Sequence, residues 1–254
     1  MTSVDALPVI IIPCYNEEYR LDESGLLQLA ESGLVRLLFI DDGSTDDTWA
    51  VLTRLGDGSG AINVIRLSQN CGKGEAVRRG FLESSKHAAT IIGYYDADLA
   101  TPPDELLRLV SIMQADERLA AVLGSRVAML GSKIERTATR HYVGRVYATL
   151  ASVALGAVIY DTQCGAKVFR VNPTFLEAIS RPFSSAWGFD VELLIRLLRG
   201  NSSVPRISLD AFREVPLSSW RDVNGSKLRF VDGVSAFLHL FAIGIGRRRF
   251  DSNR

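Results

Sequence analysis

The sequence predicts an α/β fold in which a mostly parallel central sheet is covered by helices on both faces. Three observations carry this reading. Short β-branched apolar runs recur along the chain, several of them continuous rather than alternating, as strands buried on both faces read. Amphipathic stretches of helical period separate them, as the crossovers of a parallel sheet require. The apolar runs also end in Asp, Asn, Glu, Gly and Ser, at the corners where open α/β sheets gather ligands.

Taken in order, strands are expected at residues 9–13, 35–40, 61–67, 90–96, 120–125, 164–170 and 206–209. Helices are expected near 24–32, 46–55, 74–85, 103–114, 172–179 and 189–199. Thr101-Pro102-Pro103-Asp104 reads as a helix start, with a hydroxyl N-cap, proline in the first turn and an early acid. Two further apolar stretches, 146–159 and 234–246, fall short of the roughly 18–20 residues that span a bilayer and read as buried or interfacial helices. The second runs into Arg247-Arg248-Arg249. No repeat or low-complexity linker divides the chain. Residues 1–254 are therefore expected to form one domain, with a nucleotide-binding half over 1–125 and an acceptor half over 126–254.

Composition narrows the class. Among 254 residues, 47% are hydrophobic and 23% charged, so a packed core is expected rather than disorder. The formal net charge is zero, which argues against a nucleic-acid partner and confines any polyanion site to a local patch. Cys14, Cys71 and Cys164 form no CxxC pair, a pattern that fits a reducing compartment and not a disulfide framework or a zinc site. His87, His141 and His239 have no metal-like spacing. Met1-Thr2-Ser3-Val4-Asp5 lacks a basic region, so no secretion signal is expected and the expected location is cytoplasmic.

The chemistry concentrates at strand ends. Asp96-Ala97-Asp98 closes the run at 90–96. In a strand, residues i and i+2 share a side, so both carboxylates are expected to reach one point beyond the strand. An isolated Asp-x-Asp is ordinarily a solvated turn. At a ligand-binding sheet edge, the same pair can hold Mg²⁺ or Mn²⁺ and leave the remaining positions to substrate phosphates. The first strand ends in Pro13-Cys14-Tyr15-Asn16-Glu17-Glu18 and the second in Asp41-Asp42-Gly43-Ser44-Thr45-Asp46, at the same edge. Asp-Gly-Ser alone is a common capped turn, but an Asp at this place can accept from a base or a ribose hydroxyl. After the third strand, Asn70-Cys71-Gly72-Lys73-Gly74 combines glycines that let the backbone approach a ligand with a point charge, Lys73, for phosphate. It is neither a P-loop nor a GxGxxG fingerprint.

Taken together these stations resemble the family 2 glycosyltransferases, which have the GT-A fold. The stretches that carry the likeness are Val9 through Glu18, Ile40 through Asp46, Asn70 through Gly74, and Asp96-Ala97-Asp98. Gly124-Ser125-Arg126, Asp161-Thr162-Gln163-Cys164-Gly165-Ala166-Lys167-Val168-Phe169-Arg170 and Trp187-Gly188-Phe189-Asp190-Val191-Glu192 look like the polyprenyl-phosphate hexosyltransferases. The Asp-Thr-Gln-Cys-Gly string looks more like the dolichyl-phosphate β-glucosyltransferases than the mannosyl branch. The resemblance spans roughly residues 8 to 230. It implies that Asp42 and the corner of Pro13, Tyr15, Asn16 and Glu17 hold the nucleoside. It further implies that Asp96 faces the ribose or sugar, with Asp98 at the metal and diphosphate. It favours UDP-glucose over GDP-mannose. One departure is Ala100, where mannosyl-branch members tend to carry Gln as a further metal ligand. The Gln-x-x-Arg-Trp motif of processive synthases is absent, and Trp220-Arg221 stands in the reverse order.

On the acceptor side, Lys133, Arg136 and Arg140 stand near His141 against one acid, Glu135, just before the apolar stretch 146–159. Arg136 and Arg140 are four apart and would share a helix face. Cations beside an apolar helix suit a lipid phosphate and peripheral contact with the inner face of a membrane; a solvated face on a core helix has the same pattern. By the resemblance, Arg126 and Arg140 match positions that bind acceptor phosphate. A phosphate monoester is largely ionised at pH 7, with its second pKa near ~6, so a polyprenyl phosphate could attack the anomeric carbon with little base catalysis. The resulting expectation is an inverting hexosyltransferase, with Asp98 acting on the leaving diphosphate. The alternative is a soluble family member that glycosylates a hydroxyl, with Asp190 or Asp161 as the carboxylate base. A sugar-nucleotide nucleotidyltransferase would want a glycine-rich loop after the first strand, and Pro13–Glu17 is not one.

Overall fold

The computed structural model describes residues 7–87, 89–135 and 138–223. In chain order the elements are β1 (Val9–Cys14), α1 (Glu23–Glu31), β2 (Arg36–Asp41), α2 (Thr48–Asp57), β3 (Ile62–Arg66), α3 (Lys73–Ser85), β4 (Ile91–Tyr95) and α4 (Pro103–Ala115). They continue with β5 (Ala121–Ser125), β6 (Lys133–Glu135), α5 (Ala138–Leu155), β7 (Ala166–Arg170), α6 (Pro173–Ser180), α7 (Phe189–Arg199), β8 (Phe212–Pro216) and β9 (Ser219–Arg221). Seven strands form one sheet in the order β3-β2-β1-β4-β7-β5-β8, and β6 and β9 form a second, two-stranded one. Every pairing in the large sheet is parallel except those of β7 with β4 and β5.

Strand alternation explains the layers. In β1, Ile10 and Ile12 turn to the cluster that receives Leu26 and Leu29 of α1, Leu52 of α2 and Leu106 and Leu109 of α4. Ile11 turns the other way, onto Val77 and Phe81 of α3, Phe175 of α6 and Phe189 and Leu193 of α7. Both faces of the run are buried, which is why it reads as continuously apolar. Each such side chain contributes roughly 1.5–3 kcal/mol by leaving water. α5 is added outside α7, where Ala151 and Ala154 meet Val191 and Ile195.

This architecture is the expected one, with four differences in detail. Residues 206–209 are not a strand: the chain there passes into a single 3₁₀ turn, Leu209–Ala211, and the edge strand is β8. Phe-Arg-Glu-Val-Pro hid from the pattern because an edge strand carries charge and tolerates proline. Thr101 does not cap α4; the N-cap position belongs to Pro102, and the Thr101 carbonyl instead accepts from the Tyr95 hydroxyl. The β6–β9 pair was not foreseen at three residues a strand. The helix over the first apolar stretch begins earlier than that stretch, at Ala138.

The topology gathers the site. β1, β2, β4 and β5 run parallel and end at one edge, and antiparallel β7 begins there, with Tyr95 opposite Ala166 and Leu123 opposite Lys167. The corners after β1, β2, β4 and β5 and the turn before β7 therefore converge.

Candidate active site

On the nucleotide side, the corners hold one another. Asn16 adopts a left-handed backbone (φ 50°), a conformation Asn tolerates better than most residues. Its N–H donates to Ser44 Oγ at 3.0 Å, and its Oδ1 accepts from the Thr45 N–H at 2.8 Å. The Glu17 N–H donates to Thr48 Oγ1 at 2.7 Å. Asp42 is buried, and its two oxygens accept from the Cys71 and Gly72 N–H groups, each at 2.8 Å. Burial pushes the Asp42 carboxyl above its usual range despite these bonds. Gly43 permits the corner: its φ is +68°, and a Cβ there would stand 2.5 Å from the Gln69 carbonyl carbon. Asp42 thus fixes the loop that presents Lys73. Pro13 and Tyr15 line the same corner, half-buried at the end of β1.

Asp96 and Asp98 are brought together, though not by strand alternation. β4 ends at Tyr95, and Ala97 and Asp98 lie in a turn followed by Leu99 at φ 48°. Lys73, the first residue of α3, places Nζ 2.6 Å from Asp96 Oδ1. Arg20 places one guanidinium nitrogen 3.2 Å from Asp98 Oδ2 and the other 3.2 Å from Glu17 Oε2. Asp98 Oδ1 accepts from the Ala100 N–H at 3.1 Å. Burial, the largest influence, raises the Asp96 carboxyl, but the charge and hydrogen bond of Lys73 together with the Lys167 and Arg126 charges hold the group below the usual range. Asp98 moves the opposite way, raised by burial and then by the neighbouring Asp96 charge. Two carboxylates close enough to repel are a donor set that a hard divalent cation relieves. Among the described residues no group of three or more His, Cys, Asp or Glu could hold a metal ion. Two protein carboxylates with phosphate and water completing the shell is a common Mg²⁺ arrangement, so the residues fit.

Gly165 makes room for this arrangement. A Cβ on Gly165 would lie 2.0 Å from Asp96 Oδ2 and 2.2 Å from its Cγ. The Asp96 N–H also donates to the Gly165 carbonyl at 2.8 Å. The turn before β7 therefore sets where the Asp96 carboxylate can stand.

The acceptor side differs from expectation. Arg126, just past β5, is close enough to add its charge at Asp96, but Nε and Nη2 donate to Asp161 at 2.6 and 2.8 Å. Its N–H donates to the same carboxylate, and the guanidinium lies over the Trp220 ring, 5.4 Å from the centroid. Burial works against both charges, but their attraction dominates: Arg126 is raised and Asp161 lowered. Asp161 also accepts from the Gln163 N–H, so its carboxylate is held by Arg126 and by backbone. Asp190 is likewise committed. It accepts from the Tyr94 hydroxyl and pairs with Lys167 Nζ at 3.0 Å, all three groups being buried. Arg136 and the side chain of Arg140 lie outside the described residues, as do 234–246 and Arg247–Arg249, so their expected grouping is not described.

Sequence reasoning missed Arg20, Lys167 and the role of Gly165. Lys167 had a signal, a cation between apolar neighbours inside a strand run. Arg20 had only its place four residues beyond Asn16.

A sequence profile described as glycosyl transferase family 2 matches residues 9–174, more than half of the chain. The chain belongs to this family. This family 2 chain is 31% identical over 241 residues to the dolichyl-phosphate β-glucosyltransferase of Saccharomyces cerevisiae, covering 86% of itself and 68% of that protein. It is 32% identical over 245 residues to the human enzyme of the same name, with the same coverages. Among solved structures, the glucosyl-3-phosphoglycerate synthase of Mycobacterium tuberculosis matches with a TM-score of 0.67 at 22% identity, covering 95% of this chain and 80% of that one. That synthase was solved with Mn²⁺, uridine diphosphate and glucosyl-3-phosphoglycerate, and the likeness establishes the GT-A fold.

Proposed function

We propose that this family 2 glycosyltransferase moves glucose from UDP-glucose to a polyprenyl phosphate, with inversion, while in peripheral contact with a membrane. The observation that carries the proposal is the convergence of Asp96, Asp98, Lys73 and Arg126 at one sheet edge, beside the corners after β1 and β2. The kinship with dolichyl-phosphate β-glucosyltransferases supplies the sugar and the acceptor class. The Asp42 corner and Pro13, Tyr15, Asn16 and Glu17 take the nucleoside. Asp96 and Asp98 hold Mg²⁺ or Mn²⁺, which supplies positive charge to the diphosphate when bound. Lys73 adds a second charge at the leaving group.

The acceptor phosphate oxygen forms the new bond to the anomeric carbon as the bond to the diphosphate breaks, and the electron pair leaves with the diphosphate. No proton has to be removed from an ionised phosphate. A base is thus dispensable, which agrees with the commitment of Asp161 and Asp190 to buried ion pairs. Arg126 contributes a fixed charge there rather than a free fork, and Arg136 and Arg140 are the proposed contacts to the acceptor phosphate. Val143 and Val146 on α5, Met129 and Leu130 before it, and Val158 and Tyr160 after it are exposed, which supports a lipid-facing rim. Among the described residues no helix is long and apolar enough to cross a membrane.

Thermal shift with Mn²⁺ tests the donor assignment. A ligand at ~100 times its Kd adds about 2.7 kcal/mol of stability, so UDP-glucose should shift the melting temperature and GDP-mannose should not. The reverse pattern would overturn the choice. Arg140→Ala should raise the KM for polyprenyl phosphate and leave UDP-glucose binding unchanged.

A further inference from the structure

We propose that Arg20 is a positioning residue for the donor diphosphate: it neutralises Asp98 and turns to the phosphate oxygens when nucleotide and metal arrive. The inference rests on the donor reading above. Its starting point is that each metal-ligating carboxylate has a resident cation, Lys73 on Asp96 at 2.6 Å and Arg20 on Asp98 at 3.2 Å. A divalent ion entering alone meets both positive charges. A nucleotide diphosphate entering with it offers those cations new oxygens.

Three features single out Arg20. Its guanidinium is gripped from behind by Glu17, in the corner whose backbone is bonded to Thr48, so it can swing without leaving the nucleotide side. Its Nε is buried and among the described residues has no hydrogen-bond partner, so the fork holds an unsatisfied donor that an anion would satisfy once the guanidinium turns. Its hold on Asp98 is longer than the Lys73–Asp96 contact, and an arginine fork matches phosphate oxygens in pairs. The expected consequence is strong positive coupling between metal and nucleotide, transmitted through Arg20.

Calorimetric titration of the full chain with Mn²⁺, with and without UDP, tests this independently of turnover. In the unaltered protein UDP should tighten Mn²⁺ binding at least tenfold, and by linkage Mn²⁺ should tighten UDP by the same factor. Arg20→Gln should bind Mn²⁺ alone severalfold more tightly, because the competing charge is gone, and the coupling factor should fall at least fivefold. Arg20→Lys keeps the charge but not the fork; Mn²⁺ alone should bind as before, with reduced coupling. That second variant decides the matter if the first is unstable. Full coupling in Arg20→Lys, or unchanged Mn²⁺ affinity and coupling in Arg20→Gln, would make Arg20 a structural tie and overturn the inference. Failure of the unaltered protein to bind UDP or Mn²⁺ would instead overturn the donor reading, and this inference with it.

Discussion

On the nucleotide side of the sheet edge, Asn16 and Asp42 use their side chains to hold backbone N–H groups of neighbouring corners, whereas across β7 Arg126 and Lys167 are paired with Asp161 and Asp190 inside the fold. The first arrangement organises loops and leaves Asp96, Asp98, Lys73 and Arg20 partly exposed, in pairs a ligand can exchange. The second fixes charge by burying it with its partner. Neutralising a charge on the donor side should therefore cost activity before stability. On the other side the order should reverse, because removing one member of a buried pair strands the other.

The largest expected effect breaks the comparison at its donor end. Asp98→Asn keeps the shape of the side chain and removes its charge, so transfer should fall by about 10²–10³-fold or more while the melting temperature stays near that of the unaltered protein. Turnover at the normal rate in the presence of Mg²⁺ or Mn²⁺ would remove Asp98 from the metal site.

Asp161→Asn probes the opposite end, and its effect should appear as stability. Breaking the buried pair with Arg126 should cost about 3–5 kcal/mol at neutral pH in urea unfolding. Asp161 is held below the usual carboxylate range, so the pair's contribution is fully present above the unfolded value of about 3.9 and is lost as pH falls through the lowered folded one. The gap between the two proteins should narrow in acid. A gap independent of pH would show that packing, not charge, holds the Arg126 corner.

Gly165→Ala sharpens the comparison, because Gly165 stands between the two sides. The new methyl would collide with the Asp96 carboxylate, which must move away from Lys73. About 1–3 kcal/mol of stability should be lost, as for other overpacked sites. The rate of transfer should fall by roughly tenfold, since displacing a reacting group by about an ångström is enough to do so. Unaltered kinetics would mean that the position of Asp96 is not set by this turn.

The corners were legible because strand ends in an open parallel sheet must converge, so Pro13–Glu17, Asp42 and Asp96 could be placed from the sequence. What they touch could not. Asn16 and Asp42 face backbone groups 29 or 30 residues away, and no local pattern encodes that distance. Asp161 and Asp190 read as candidate bases because a carboxylate in a motif looks alike whether it faces substrate or a buried cation; in the fold they pair with Arg126 and Lys167. The strand at 206–209 failed for a related reason: the Ile207 N–H bonds to the Leu197 carbonyl at the end of α7 and the chain runs on into a 3₁₀ turn, while charged β8 found the edge of β5.

The central assignment is glucose transfer from UDP-glucose to a lipid phosphate, and partition of a labelled sugar tests it most directly. The protein is incubated with Mn²⁺, a polyprenyl phosphate and either UDP-[¹⁴C]glucose or GDP-[¹⁴C]mannose, and the label is followed into the organic phase. Label should enter that phase from UDP-glucose alone, require the lipid phosphate, and be carried as the β-anomer. Label that stays in water on a hydroxyl product, or that reaches the lipid from GDP-mannose instead, would contradict the assignment.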